Sequence, residues 1–121
     1  MLHAAIALAA LSVPAWEPVW SGDYLIESSC GSYTRPSYSY RGTLRIARGA
    51  NETFYALTWE TDRGAFVGSA VSVQGQLLIE FRRPDGEGGL MIASFAPNGM
   101  LAQGGVRGTD LRCSERWRPA A

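Results

Sequence analysis

The sequence predicts an all-β protein: about eight antiparallel strands in a meander, closed into an up-and-down β-barrel, with a two-sheet β-sandwich as the alternative. Three observations predict it. No 3.6-residue apolar period survives past residue 20, and 14 Gly spread through 121 residues leave little room for helices. Period-two alternation of apolar and polar residues recurs instead. The alternating runs are separated by short turn-forming segments, which force sequential antiparallel neighbours. Strands of that kind with one apolar face close most simply into a barrel, because closure removes the exposed edges.

The elements follow in order. Tyr24-Ile26-Ser28-Cys30, Gly42-Leu44-Ile46 and Tyr55-Leu57-Trp59 are the inward faces of the first three runs. Val67-Ser69-Val71-Val73 reads as the next. Leu77, Ile79 and Phe81 oppose Gln76, Glu80 and Arg82, with Leu78 the one apolar intruder on the polar face. Residues 89–96 and 100–107 alternate more weakly. The last run sets Leu111, Cys113, Glu115 and Trp117 against Arg112, Ser114, Arg116 and Arg118. Turns fall at Asn98-Gly99, Gln74-Gly75, Asp62-Arg63-Gly64, Gly49-Ala50-Asn51 and the Gly-rich stretch 84–89. Gly42, Gly64, Gly68 and Gly104-Gly105 lie in or beside strands and fit bulges or corners of the sheet. Tyr24, Ile26, Leu44, Ile46, Tyr55, Leu57, Trp59, Val71, Leu77, Ile79, Phe81 and Trp117 make an inward set large enough to fill an eight-stranded interior.

Residues 1–15 read MLHAAIALAALSVPA. An apolar core from Ala4 to Val13, then Pro14 and Ala15, is the pattern of a secretory signal peptide, although no Arg or Lys precedes the core. Val13 and Ala15 take the −3 and −1 positions of a cut before Trp16. The chain thus divides into a signal peptide, 1–15, and a single all-β domain, 16–121, destined for the periplasm or the medium. The core is shorter than the roughly 20 apolar residues a membrane helix needs, and no transmembrane segment is expected elsewhere.

The runs Tyr40-Arg-Gly-Thr-Leu-Arg-Ile46, Tyr55-Ala-Leu-Thr-Trp59 and Gly64-Ala-Phe-Val-Gly-Ser-Ala70 succeed one another, followed by Gly75-Gln-Leu-Leu-Ile79. Their order resembles a group of short exported bacterial proteins of uncharacterised function, which share Y-x-G-x-L-x-I, Y-x-L-x-W and G-x-F-x-G strand motifs. The resemblance covers about residues 22–107. It implies the fold and export, and no activity. At the C-terminal end, where the pattern has a Gly-rich run to Trp, this chain has Gly104-Gly105-Val106-Arg107 leading to Cys113 and Trp117.

Chemistry is restricted by what is missing. His3 is the sole histidine and would leave with the signal peptide; the 11 basic residues are all Arg, so the usual general bases and the Schiff-base amine are lacking. No His-containing zinc site or Ser-His-Asp triad is possible, and no phosphate-binding glycine loop precedes a helix. Asp85 and Glu87 read as solvated turn charges. The expectation is a non-enzyme with no catalytic residue, no metal and no cofactor. The formal net charge of +0 argues against nucleic acid as a partner.

Three features remain. Ser32–Arg41 is rich in Tyr, Ser and Arg and is longer than the other connections. It is a candidate binding loop carried by Tyr33, Arg35, Tyr38 and Tyr40, or else a lid folded over one barrel mouth. Glu115 falls on an apolar face, so it is expected at the interior or rim, paired with an arginine, or alternatively orienting a ligand in a cavity. Cys30 and Cys113 lie on the first and last strands, both on apolar faces. In an exported chain they should pair, and the pairing demands that those strands be neighbours, since a disulfide needs Cα atoms within ~7 Å. Two functions fit these features. One is a protein-binding module of the cell envelope, inhibitor- or adhesion-like, whose partner is an extracytoplasmic protein. The other is a carrier of a small apolar or aromatic ligand in the barrel, which would require a cavity well above ~300 Å³.

Overall fold

The computed structural model describes residues 19–49, 51 and 53–120. The signal-peptide reading of residues 1–15 therefore lies outside the described residues. Eight strands follow one another: β1 Gly22–Gly31, β2 Tyr38–Arg48, β3 Phe54–Thr61, β4 Gly64–Val73, β5 Gln76–Arg82, β6 Gly88–Ala96, β7 Gly99–Val106 and β8 Arg112–Pro119. Each pairs antiparallel with the next, and β1 pairs with β8 from Tyr24↔Pro119 to Gly31↔Arg112. The sheet is a closed barrel in simple meander order, so the sandwich alternative is set aside.

Closure brings the two cysteines together. Cys30 and Cys113 are directly opposed on β1 and β8, with Cα atoms 4.1 Å apart and their sulfurs bonded. The bond is compatible with an oxidising compartment.

The barrel has two unlike ends. At the lower end lie the connections after β2, β4 and β6 together with the chain entry at Val19–Ser21. Trp20 plugs this end: its ring stacks on Phe95 with centroids 5.0 Å apart, its Nε1 donates to Ser72 Oγ at 3.2 Å, and the Tyr24 hydroxyl donates to its carbonyl at 2.6 Å. At the upper end lie the β1–β2 loop and the connections after β3, β5 and β7. Between the ends, the interior is filled by the inward set named above, Val71 excepted, with Met91, Ala93, Met100, Ala102 and Val106 from β6 and β7.

Val71 is the correction. On β4 the inward residues are Phe66, Gly68, Ala70 and Ser72, and Val67, Val71 and Val73 face outward. Both faces of this strand carry apolar residues, so alternation alone does not choose between them. Packing does. The Trp59 ring of β3 needs a flat partner and an empty position beside it: Phe66 stacks on it at 4.6 Å, and a Cβ on Gly68 would lie 3.0 Å from the indole and 2.7 Å from the Glu80 carbonyl oxygen. With the opposite face turned inward, Val67 or Ser69 would take the Gly68 position and its side chain would collide with the indole.

The outward β4 valines complete an apolar row. Phe54, Val71, Leu78 and Ile92 are directly opposed across β3, β4, β5 and β6. Together with Leu90 they flank an outer groove of about 450 Å³. Leu78, the intruder in an otherwise regular alternation, is the sequence trace of this face.

Two further readings shift. Gly42, Gly68 and Gly104 sit in uninterrupted ladders and are not bulges; the strands on either side approach too closely for a side chain. The β6–β7 turn is Pro97-Asn98, with Ala96 opposite Gly99, one residue earlier than the Asn98-Gly99 signal suggests. Pro97 presets the first turn position, and that preference prevails over the Asn-Gly signal. Gln74-Gly75 does form its turn, with φ of 51° and 79°, the left-handed pair that a type I′ hairpin demands.

Candidate functional site

The upper end gathers most of the residues singled out by the sequence. The β1–β2 loop spans residues 32–37 and is held by one carboxylate from the β7–β8 connection. Asp110 Oδ1 accepts from the Ser32 hydroxyl at 2.5 Å and the Thr34 hydroxyl at 2.9 Å, and Oδ2 accepts from the Tyr33 amide at 2.8 Å. The Thr34 amide donates to Ser32 Oγ at 3.0 Å and closes the turn. These hydrogen bonds, led by that from Ser32 and then that from Thr34, hold the Asp110 carboxyl well below the ordinary aspartate range, at about 2. The loop is thus charged, turned and tied to a second connection. At its tip the Tyr33 side chain is fully exposed, at 101%. Arg35 reaches across to Glu87 of the β5–β6 connection at 3.7 Å.

The other two tyrosines of the candidate loop belong to β2. Tyr40 is buried and points inward; Tyr38 is half-buried and packs on the core. Strand pairing from Cys30↔Tyr38 onward draws them out of the loop. Alternation then turns Tyr38 and Tyr40 to the inner face, next to each other at the upper mouth. The Arg63 guanidinium lies over the Tyr38 ring, 4.8 Å from its centroid.

Below them sits Glu115, which has no exposed surface. It pairs with no arginine among the described residues, contrary to the expected rim ion pair. Its neutralising environment is made of dipoles instead. The Tyr40 hydroxyl donates to Oε2, and the indoles of Trp59 and Trp117 donate to Oε1 at 3.0 and 2.9 Å. Burial pushes the Glu115 carboxyl up, and the donors, Tyr40 first, oppose the shift. The Tyr40 hydroxyl is raised in turn, by burial first and by Glu115 second. Every buried side-chain nitrogen or oxygen among the described residues has a partner. A carboxylate whose lone pairs are committed in this way orients three aromatic side chains of the core, and none of its donors is left over for a ligand.

Between this network and the upper mouth lies a cavity of about 30 Å³, bordered by Tyr38, Tyr40, Arg63, Phe66, Phe81 and Arg83. That admits one or two waters or a group of similar size, roughly a tenth of the space a drug-sized ligand takes.

Two further carboxylates serve local structure. Asp85 Oδ1 accepts the Glu87 amide within its turn at 2.9 Å, and Asp23 pairs with Arg45 at 2.9 Å. No helix of the described residues is long and apolar enough to cross a membrane.

No family model matches the chain, and no curated protein matches it in sequence. Among solved structures it is similar to a de novo designed fluorescence-activating β-barrel, with a TM-score of 0.59 and 16% identity, over 83% of this chain and 93% of that one. At that identity the likeness shows the fold alone: a closed antiparallel barrel.

Proposed function

We propose that the protein is a non-enzymatic binding module that works outside the cytoplasm and engages a protein partner with the upper end of its barrel. Tyr33 carries the reading. A fully exposed aromatic side chain on a loop pinned by Asp110 loses little freedom on binding and offers a large amphipathic surface. The filled interior supports the same conclusion: a cavity of about 30 Å³ is unsuited to carrying an apolar or aromatic ligand. Export is supported by the N-terminal apolar pattern and the Cys30–Cys113 bond. The absence of Lys, and of His beyond residue 3, supports a non-enzyme.

The test is capture of partners from an envelope extract by the purified protein. Tyr33→Ala with Arg35→Ala should abolish capture while the Tm stays within a few degrees, because neither side chain enters the core. Tyr38 is left out of the variant, since it packs on the core. Undiminished capture by the variant would sink the reading.

A further inference from the structure

We propose that the partner presents an acidic side chain of a polypeptide to a rim formed by Arg63 and Arg83. The proposal rests on the binding-module reading above and specifies the chemistry of the partner. It comes from the way charges are used at the upper end. Each carboxylate of the upper connections has a local partner. Asp62 accepts the Arg41 amide at 3.0 Å, Asp85 accepts the Glu87 amide, Glu87 pairs with Arg35, and Asp110 holds the β1–β2 loop. Arg63 and Arg83 form no ion pair among the described residues; Asp85, whose carboxyl is held low chiefly by the Glu87 amide, feels Arg83 without contacting it. The carboxylates of these connections have local hydrogen-bond or ion-pair partners, whereas the exposed Arg63 and the half-buried Arg83 have no ion-pair partner among the described residues. The protein has no net charge, yet at this one pocket an anion would meet two guanidinium groups that have no ion-pair partner among the described residues.

The two arginines also share one cavity. Both border the pocket of about 30 Å³ at the mouth. Arg63 lies over the Tyr38 ring, a contact that uses none of its N–H donors, which remain for a carboxylate. The walls contributed by Phe66 and Phe81 are apolar and suit a methylene. The size excludes a ring and admits the tip of an Asp or Glu side chain. Depth is limited from below, where Tyr40 gives its hydroxyl to Glu115; a second carboxylate there would meet that acidic group, so the incoming one stays at the rim.

The test uses the full chain, disulfide intact, and a fluorescently labelled hexaglutamate peptide at low salt, read by anisotropy. Hexaserine and a short oligothymidylate serve as comparison probes. Wild type should bind hexaglutamate and not hexaserine. Arg63→Gln with Arg83→Gln should weaken binding by about tenfold or more. Arg116→Gln with Arg118→Gln, both exposed on β8, should change it by less than about twofold. Equal weakening by the two pairs, no binding by wild type, or tighter binding of oligothymidylate would each overturn the proposal. Should the double variant lower the Tm by more than a few degrees, Arg83→Gln alone, which leaves the Arg63–Tyr38 stack intact, carries the comparison and should still weaken binding severalfold. The envelope capture separates the two levels. Loss with Tyr33→Ala/Arg35→Ala but not with Arg63→Gln/Arg83→Gln overturns the carboxylate proposal and leaves the binding module standing. Retention by both variants overturns both.

Discussion

Trp59 and Glu115, 56 residues apart in sequence, meet inside the barrel, where the indole Nε1 donates to the carboxylate at 3.0 Å. The same oxygen accepts the Trp117 indole, and Tyr40 takes the other. Two of these donors, the indoles, cannot accept a hydrogen bond, so Glu115 is what satisfies them. Removing it with Glu115→Ala leaves buried donors unpaired and should cost at least ~3 kcal/mol, measured by urea denaturation.

The charge of Glu115 is a separate matter from its hydrogen bonds. Its folded carboxyl is raised by burial, so the fold binds the proton more tightly than the unfolded chain does. Its full contribution to stability is therefore present below the ordinary glutamate range of roughly 4.3. It falls as pH rises through the raised folded value and is constant above it. Glu115→Gln keeps an acceptor for the indoles and cannot ionise. Melting curves from pH 4 to 8 should show wild type losing stability relative to Glu115→Gln as pH rises. Parallel curves would refute the assignment.

Asp110 has the opposite sign. Its carboxyl is held at about 2, below its unfolded value, so the anchored loop is intact above the ordinary aspartate range and is released as pH falls toward 2. Hydrogen exchange at the Tyr33 amide should be protected at neutral pH and become fast in Asp110→Ala, with the Tm little changed. Equal protection in the variant would show that Asp110 does not hold the loop.

The Cys30–Cys113 bond closes β1 on β8 across 83 residues of sequence. Replacing both by Ala removes a constraint worth roughly 4–5 kcal/mol in the chain-entropy model. The Tm should drop by more than ~10 °C, and wild type in reductant should match the variant. A variant that melts with wild type would show that strand pairing alone closes the barrel.

The two faces of β4 should respond unequally to small changes. Gly68→Ala forces a methyl toward Trp59 and the Glu80 carbonyl and should cost about 1–3 kcal/mol. Val71→Thr, on the outer face, should stay within ~0.5 kcal/mol of wild type. The reverse order would restore Val71 to the interior.

Strand number, meander order and the pairing of the cysteines were legible in the sequence because each follows from short-range physics. Period-two alternation, turn residues and short connections leave few topologies, and a bond between the first and last strands makes those strands neighbours, in a barrel or in a sandwich that returns; the tertiary structure decides for the barrel. The inward placement of Glu115 followed from the same alternation, through Leu111, Cys113 and Trp117. Its partners did not: Tyr40 and Trp59 arrive from β2 and β3, and only the register of the closed barrel sets them beside it. Tyr38 and Tyr40 read as loop residues until pairing with β1 drew them into a strand. Nor did alternation decide which face of β4 turns inward. Period two sorts residues into two sets, and where both sets are apolar the choice passes to volume: the Trp59 ring stacks on Phe66 and leaves no room for a side chain at the Gly68 position.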